Sequence, residues 1–353
     1  MALATACFVY SPDICGPWID PRSGTDPYYD RFLYDKPTLY GLLGERGIGV
    51  VMATEGANSF RAGSASSQIT VEARHADAYG VPGLPVEMDV AELGIVVNRA
   101  RQTRLDFNNQ PPVINQASVA TLGNDKERVH NTIFEPNGMG IPTYNLEQLD
   151  NGALAGVKSL VVKRRAGNAP DGVLIVGPDE AREIMSQLDS DHIAQPYVHM
   201  SGKFPRFVRP YSAQDAELFD AINQPGRPKE LRMYNFWHNA GGQEHLQQLP
   251  AVRVSVPGAI MGEATWTACD PEALPPELYE QSAVAFRSIA RATGAKAIYG
   301  SVDWGFDGND GSAHAVESNM YGPFLIGRRE HEDVGLQAYT AYADLLTRAA
   351  TAR

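Results

Sequence analysis

A mixed α/β fold, part α/β and part α+β, is predicted by three features of the 353-residue sequence. The N-terminal third runs β–loop–α–β, an order that builds a parallel sheet. Residues 121–202 hold a compact β–loop–β–α–β block. Residues 301–319, SVDWGFDGNDGSAHAVESN, place two strand-like runs on either side of Gly/Asn/Asp turn residues and so read as a β-hairpin.

The elements follow in chain order. ATACFVYS (4–11) is short, apolar and followed by Pro-Asp, as a buried strand should be. A loop through Gly16, Pro17 and Pro21 leads to a helix ending LYGLLGERG, with Gly44 and Gly47 as stop signals. GIGVVMA is the second strand and AELGIVVNR (91–99) another. Near residue 112 the texture changes. VINQASV leads into NDKERVHNTIFEPNGMGIPTYN, where Asn124 or Asp125 caps a helix reaching Phe134. SLVVKRR (159–165) and GVLIVG (172–177) are strands joined by AGNAPD, DEAREIMSQL (179–188) is a helix, and IAQPYVHM is a strand. ELRMYNFWH (230–238) and RVSVPGAIMGEATW (253–266) supply further strands. The helix at 277–293 lines up Tyr279, Ala283, Phe286 and Ala290, and a helix near 335–349 closes the chain.

Composition narrows the class. With 43% hydrophobic and 20% charged residues, the chain is that of an ordinary globular protein with a large core. A net charge of −12 argues against a nucleic-acid groove or an anionic membrane surface. Cys7, Cys15 and Cys269 form no CxxC pair, which favours a reducing compartment. The N-terminus lacks the basic start of a signal peptide, and no run reaches about 18 apolar residues. The expectation is a cytoplasmic protein with no membrane and no nucleic-acid partner.

The hairpin raises the chemical question. If its turn centres near Asp310, Asp303 faces Glu317, with Asn319 two residues on along the same face. Opposed Cβ atoms lie about 4.5–5.5 Å apart, and like charges there repel. Either the strands splay and both carboxylates are solvated, or divalent cations lie between them. Mg²⁺ takes such hard oxygen ligands. An EF-hand is excluded because Gly311 stands where the fifth loop position needs Asp or Asn. Lys163 ends an apolar strand beside a loop of small residues, a placement suited to phosphate oxygens but also common at a solvated strand end. Lys126, just inside a helix start, and Arg232, early in an apolar strand, are the other cationic candidates. No dinucleotide fingerprint, P-loop, nucleophile elbow or HExxH zinc motif is present.

Taken in order, these pieces resemble the ATP-grasp superfamily of ATP-dependent ligases over about residues 90–325. Its D-alanine ligases, glutathione synthetases and ribosomal-protein glutamate ligases are similar in type. The resemblance implies an ATP-grasp fold behind a Rossmann-like N-terminal domain. It divides the chain into 1–120, a small subdomain 121–202, and a C-terminal subdomain 203–353. Lys126 and Lys163 would contact ATP phosphates, Gly167 would belong to the covering loop, and Gln195, Tyr197 and Val198 would line the adenine pocket. Arg232 would reach the phosphates, and Arg253 would hold the substrate carboxylate or the acyl phosphate. Asp303, Glu317 and Asn319 would hold two Mg²⁺, with Mn²⁺ as a substitute. The implied reaction joins a small amino-acid or peptide carboxylate to an amine through an acyl phosphate. A small-molecule kinase and a non-catalytic ATP-binding regulator are the alternatives. Homodimers are common in the superfamily, though nothing in the sequence marks an interface. The chain departs from the pattern at Arg164, where Lys-Pro is usual, and in MYGPF after Asn319. It departs again at Ser301, where D-alanine ligases carry an arginine. These differences point to a divergent, biosynthetic branch.

Overall fold

The computed structural model describes residues 4–10, 37–54, 60–62, 69–76, 82–99, 111–150, 157–166, 173–188, 191–200, 202–225, 229–255, 264–320 and 331–352. At the centre of the N-terminal part lie β1 (Ala4–Tyr10), β2 (Ile48–Thr54) and β6 (Ile95–Arg99). β1 pairs in parallel with both others. Ala6, Cys7, Phe8 and Val9 are all buried, as an apolar run covered on both faces requires. Helix α1 (residues 37–45) precedes β2, and Gly47 takes a positive φ of 73° at the turn between them. The expected strand over 91–99 is shorter, because Asp89 caps a 3₁₀ turn at Val90–Glu92 by accepting from the Ala91 N–H. Three strands unassigned from the sequence, β3 (Phe60–Ala62), β4 (Ile69–Ala76) and β5 (Pro82–Asp89), extend this edge with antiparallel pairs.

Beyond β6 the sheet passes through the two-residue β7 (Val113–Ile114) to β14 (Ala297–Phe306), β11 (Lys229–Ala240), β12 (Gln243–Ser255) and β13 (Ala264–Ala268). β15 (Ala313–Asn319) completes the twelve strands by pairing with β14. Along the edge of β14 away from β11, Ala297 pairs with Ile114, whereas pairing with β15 begins at Ser301. Asn115 fills the gap. Its side chain accepts from the Tyr299 N–H at 2.9 Å and donates to the Tyr299 carbonyl at 2.7 Å, as a paired strand residue would. Its backbone stands at φ 54°, a conformation asparagine adopts more readily than most residues.

Two helices cover the C-terminal half of the sheet. Helix α7 (Pro276–Thr293) lies on the face of Met233, Ile298, Val302 and Trp304, burying Ala285, Phe286 and Ile289. Helix α8 (Glu332–Thr351) covers the opposite face, over Phe236, Ala297 and Tyr299, and also reaches the N-terminal strands through Leu345 and Leu346. Full burial of a phenylalanine, leucine, isoleucine, valine or methionine side chain among these contributes about 1.5–3 kcal/mol, and of an alanine less.

A separate three-stranded sheet orders β10 (His192–Pro196), β8 (Leu160–Arg164) and β9 (Leu174–Val176). α5 (Pro178–Gln187) packs on it through Ala181 and Met185. The expected strand IAQPYVHM ends at Pro196, although the Tyr197 N–H still bonds the Ser159 carbonyl one position on. The helix expected from residue 124 is also different. α2 (Ala117–Asn124) comes first, and Asp125 then caps a short α3 (Lys126–Val129) by accepting from the Arg128 N–H. α3 widens into a π-turn at His130–Phe134 and tightens into a 3₁₀ turn ending at Gly138. α4 (Leu146–Asp150) and α6 (Ala216–Ile222) complete the described helices.

Candidate active site

The hairpin register is the one the sequence required. Asp303 pairs with Glu317 and Ser301 with Asn319. One residue further the register slips, with Trp304 opposite Ala315, so Val316 is an extra residue on β15. Strand alternation then places Glu230, Arg232, Asp303, Glu317 and Asn319 on one sheet face.

The Asp303 carboxylate is fully buried and does not sit in open repulsion with Glu317. Arg232 grips it with both arms of its guanidinium, Nε to Oδ1 at 2.7 Å and the terminal nitrogen to Oδ2 at 2.5 Å. The Asn319 amide donates to Oδ2 at 3.0 Å. Burial disfavours the charged Arg232 guanidinium, but the adjoining Asp303 carboxylate outweighs it and raises the arginine's pKa above its ordinary value. Glu317, across the strand, lies 3.7 Å from the Lys126 ammonium. The opposed carboxylates are thus each matched by a cation of the chain.

The third cation arrives from the small sheet. Lys163 is partly buried on β8, opposite Ile193 of β10. Burial pushes its pKa down to about 8, Lys126 adds like-charge repulsion, and Glu317 and Glu230 oppose both. Arg165, two residues on, ties the two lysine-bearing elements together. It makes a two-armed bond to Asp125 at 2.9 and 2.6 Å and reaches Glu127 at 3.0 Å. The Arg165 carbonyl also accepts from the Lys126 N–H. Beneath them His130 is buried, with Nε2 3.1 Å from the carbonyl of the bulged Val316. Burial, and then the positive charge of Lys163, push the imidazole pKa down to about 3, so a neutral ring donates there.

The expected adenine-lining segment is ordered differently along its length. Gln195 is buried and its amide donates to Thr143 Oγ1 at 2.6 Å, so the side chain serves the fold at that point. The Tyr197 N–H bonds the Ser159 carbonyl, and its ring meets His199 edge-on. Val198 is nearly covered. Arg253 holds a register position opposite both Glu230 and Trp266, in line with the site face. Gly167 lies outside the described residues. The residues that sequence reasoning passed over are Glu230, Arg165 and His130. Glu230 stands two residues before Arg232 in a strand and Arg165 two after Lys163, so period-2 alternation alone could have paired them.

Two carboxylates and one amide form a set of hard oxygen donors of the kind Mg²⁺ prefers, so the residues present fit that ion. Both Asp303 oxygens already accept protein hydrogen bonds, which leaves Glu317 and the Asn319 amide oxygen as the less committed donors.

A three-stranded sheet carrying one lysine, facing a large sheet that carries the paired carboxylates, is the architecture of the ATP-grasp fold, and the chain has that fold. It is similar to D-cycloserine synthetase DcsG, at TM-score 0.53 and 15% identity, covering 97% of this chain and 99% of the other. It is similar as well to D-alanyl-alanine synthetase A from Vibrio cholerae, at TM-score 0.56 and 10% identity over 99% and 98%. A third likeness is to the macrocyclase MdnC from Microcystis aeruginosa, solved with the precursor peptide MdnA, at TM-score 0.55 and 12% identity over 98% and 99%. No protein-family model and no curated protein sequence matches the chain. Among the described residues no helix is long and apolar enough to cross a membrane.

Proposed function

We propose that the chain is an ATP-dependent ligase that joins a small amino-acid or peptide carboxylate to an amine through an acyl phosphate, releasing ADP and phosphate. The observation that carries this reading is the convergence of Lys126, Lys163 and Arg232 on the face that bears Asp303, Glu317 and Asn319. Three cations and a set of hard oxygen donors suit a triphosphate and its metal. The proteins of like fold that make D-cycloserine and D-alanyl-alanine support ligation as the use of that site.

Glu317, Asp303 and the Asn319 amide would hold Mg²⁺, which when bound supplies positive charge to the phosphate oxygens. The chain's own groups do the rest. Lys126 and Lys163 would bind and orient the phosphates, and Arg232 would swing part of its fork from Asp303 to the transferring group. The substrate carboxylate attacks the γ-phosphorus and ADP leaves. The amine then displaces phosphate from the acyl carbon. No protein nucleophile is needed, because positioning and electrostatics carry such a transfer. The loop around Gly167 would shield the acyl phosphate from water, with Arg253 at the acceptor side. The three-way division of the chain at about residues 120 and 202 is part of this proposal.

The test is ADP and phosphate release from Mg²⁺-ATP across single and paired amino acids and small carboxylates, with hydroxylamine as trap. Carboxylate-dependent ADP release with a hydroxamate product is the expected result. A phosphorylated alcohol without hydroxamate would make the protein a kinase instead.

A further inference from the structure

On the same sheet face, away from the paired carboxylates, β11 and β12 continue past the start of β14. They are joined by a tight turn in which Gly241 and Gly242 both take positive φ, 58° and 84°. Helix α8 crosses this projecting hairpin without filling the space beneath it. A groove of about 310 Å³ remains, at the lower end of the size range of small-molecule sites. Its floor is apolar, made of Phe236 and Leu345, both buried. Its lining also carries polar groups. His238 and His245 stand directly opposite each other in the strand pair, and Arg348 reaches in from the last turn of α8.

Three observations give this groove a ligand preference. His238 is only 5% exposed, yet its Nδ1 has no hydrogen-bond partner. A buried ring nitrogen left so is uncommon, and a bound polar group would satisfy it. Arg348 is exposed and makes no ion pair among the described residues. Asp344, the acidic group in the lining, already accepts two bonds from Arg46, at 3.0 and 2.7 Å, so its charge is matched. The remaining field is positive. Burial, then His245 and Arg348, hold the His238 pKa below its usual value, which agrees with a positive surround.

We propose that this groove binds a small organic monocarboxylate with an apolar body. The carboxylate meets the planar fork of Arg348 and the histidine pair, and the body lies on Phe236 and Leu345. The groove lies on the same sheet face as the proposed nucleotide site but apart from it. Phe236 stands four residues along β11 from Arg232, a span of ~13 Å in a strand. The proposal therefore stands whether or not the chain is a ligase.

The experiment uses the full chain and 4-fluorobenzoate as probe, followed by fluorine NMR line broadening. Saturable binding at or below about 1 mM is expected. It should weaken at least ~10-fold in Arg348→Glu, an exposed position where folding is not at risk, and also weaken in His245→Ala. The neutral 4-fluorobenzamide, with the same ring, should bind at least ~10-fold more weakly, and saturating ATP should leave the carboxylate in place. Absence of saturable broadening up to about 10 mM would overturn the proposal. So would equal binding of the amide, wild-type affinity in both variants, or displacement by ATP.

Discussion

At the scale of single residues, the two carboxylates of the hairpin call for different tests. Replacing Asp303 would take from the buried Arg232 the carboxylate that its guanidinium grips with both arms, which costs about 3–5 kcal/mol and confuses lost chemistry with lost folding. Glu317 is partly exposed and 3.7 Å from its partner, so Glu317→Ala should fold normally. On the ligase reading, Glu317→Ala and Lys163→Ala each reduce ATP turnover at least ~100-fold, with circular dichroism and melting unchanged. Wild-type turnover in either folded variant removes the assignment. Lys163 also fixes a pH signature. Its ammonium must be charged to hold phosphate, so kcat/KM for ATP should fall as pH rises through about 8. Stability should move the other way. The folded pKa lies below the ordinary 10.5, so the unfolded chain binds more protons between those values, and this group's contribution to folding stability rises with pH from about 8 to 10.5. Parallel pH profiles of ATP turnover and urea midpoint would show the two trends diverging, and a rate that climbs through pH 8 would contradict the role given to Lys163.

Among the elements, the contact that matters most on the ligase reading is the one between α3 and β8, because each carries one of the lysines proposed to hold phosphate. Arg165 makes that contact through Asp125 and Glu127. Arg165→Ala should raise KM for ATP about 10-fold with a smaller change in kcat, and Arg165→Lys should recover only part, since an ammonium cannot make the two-armed bond. Unchanged KM in Arg165→Ala would show that the lysines are held some other way. Much of this layout was legible in the sequence. Apolar runs gave β1, β2, β8 and β11, and hairpin counting placed Asp303 opposite Glu317. Other parts were hidden for physical reasons. The Val316 bulge depends on what lies beside the strand rather than on its own residues. α2 lacks a side-chain cap, so its start at Ala117 carries no signal. The strands β4 and β5 do alternate, Ile69, Val71 and Ala73 and then Leu84, Val86 and Met88 standing between polar, glycine or proline neighbours, so that signal was present and was passed over. The bond from the Gln195 amide to Thr143 was hidden too, because that partner is distant in sequence and no local pattern could supply it.

Over the whole molecule, one sheet and one closing helix join the two ends of the chain. α8 shares an apolar core with β1, β2, β6, β11 and β14. Leu346 lies in that core without exposure. Leu346→Ala should cost about 2–5 kcal/mol and shift a single unfolding transition common to both halves. Two transitions, with only one of them shifted, would show that the halves fold separately. The extra residue at Val316 has a further consequence, in terms of how the chain tolerates gaps. Deleting Val316 would make the β14–β15 ladder regular and still leave Glu317 opposite Asp303, because the slip falls on the turn side of that pair. What the deletion removes is the carbonyl that His130 holds. The segment that follows Lys126 would lose one of its ties to the hairpin, with the Lys126–Glu317 contact remaining, while the carboxylates kept their places. On the ligase reading, a one-residue gap here would be silent in the half of the site proposed for the metal and felt in the half proposed for the phosphates.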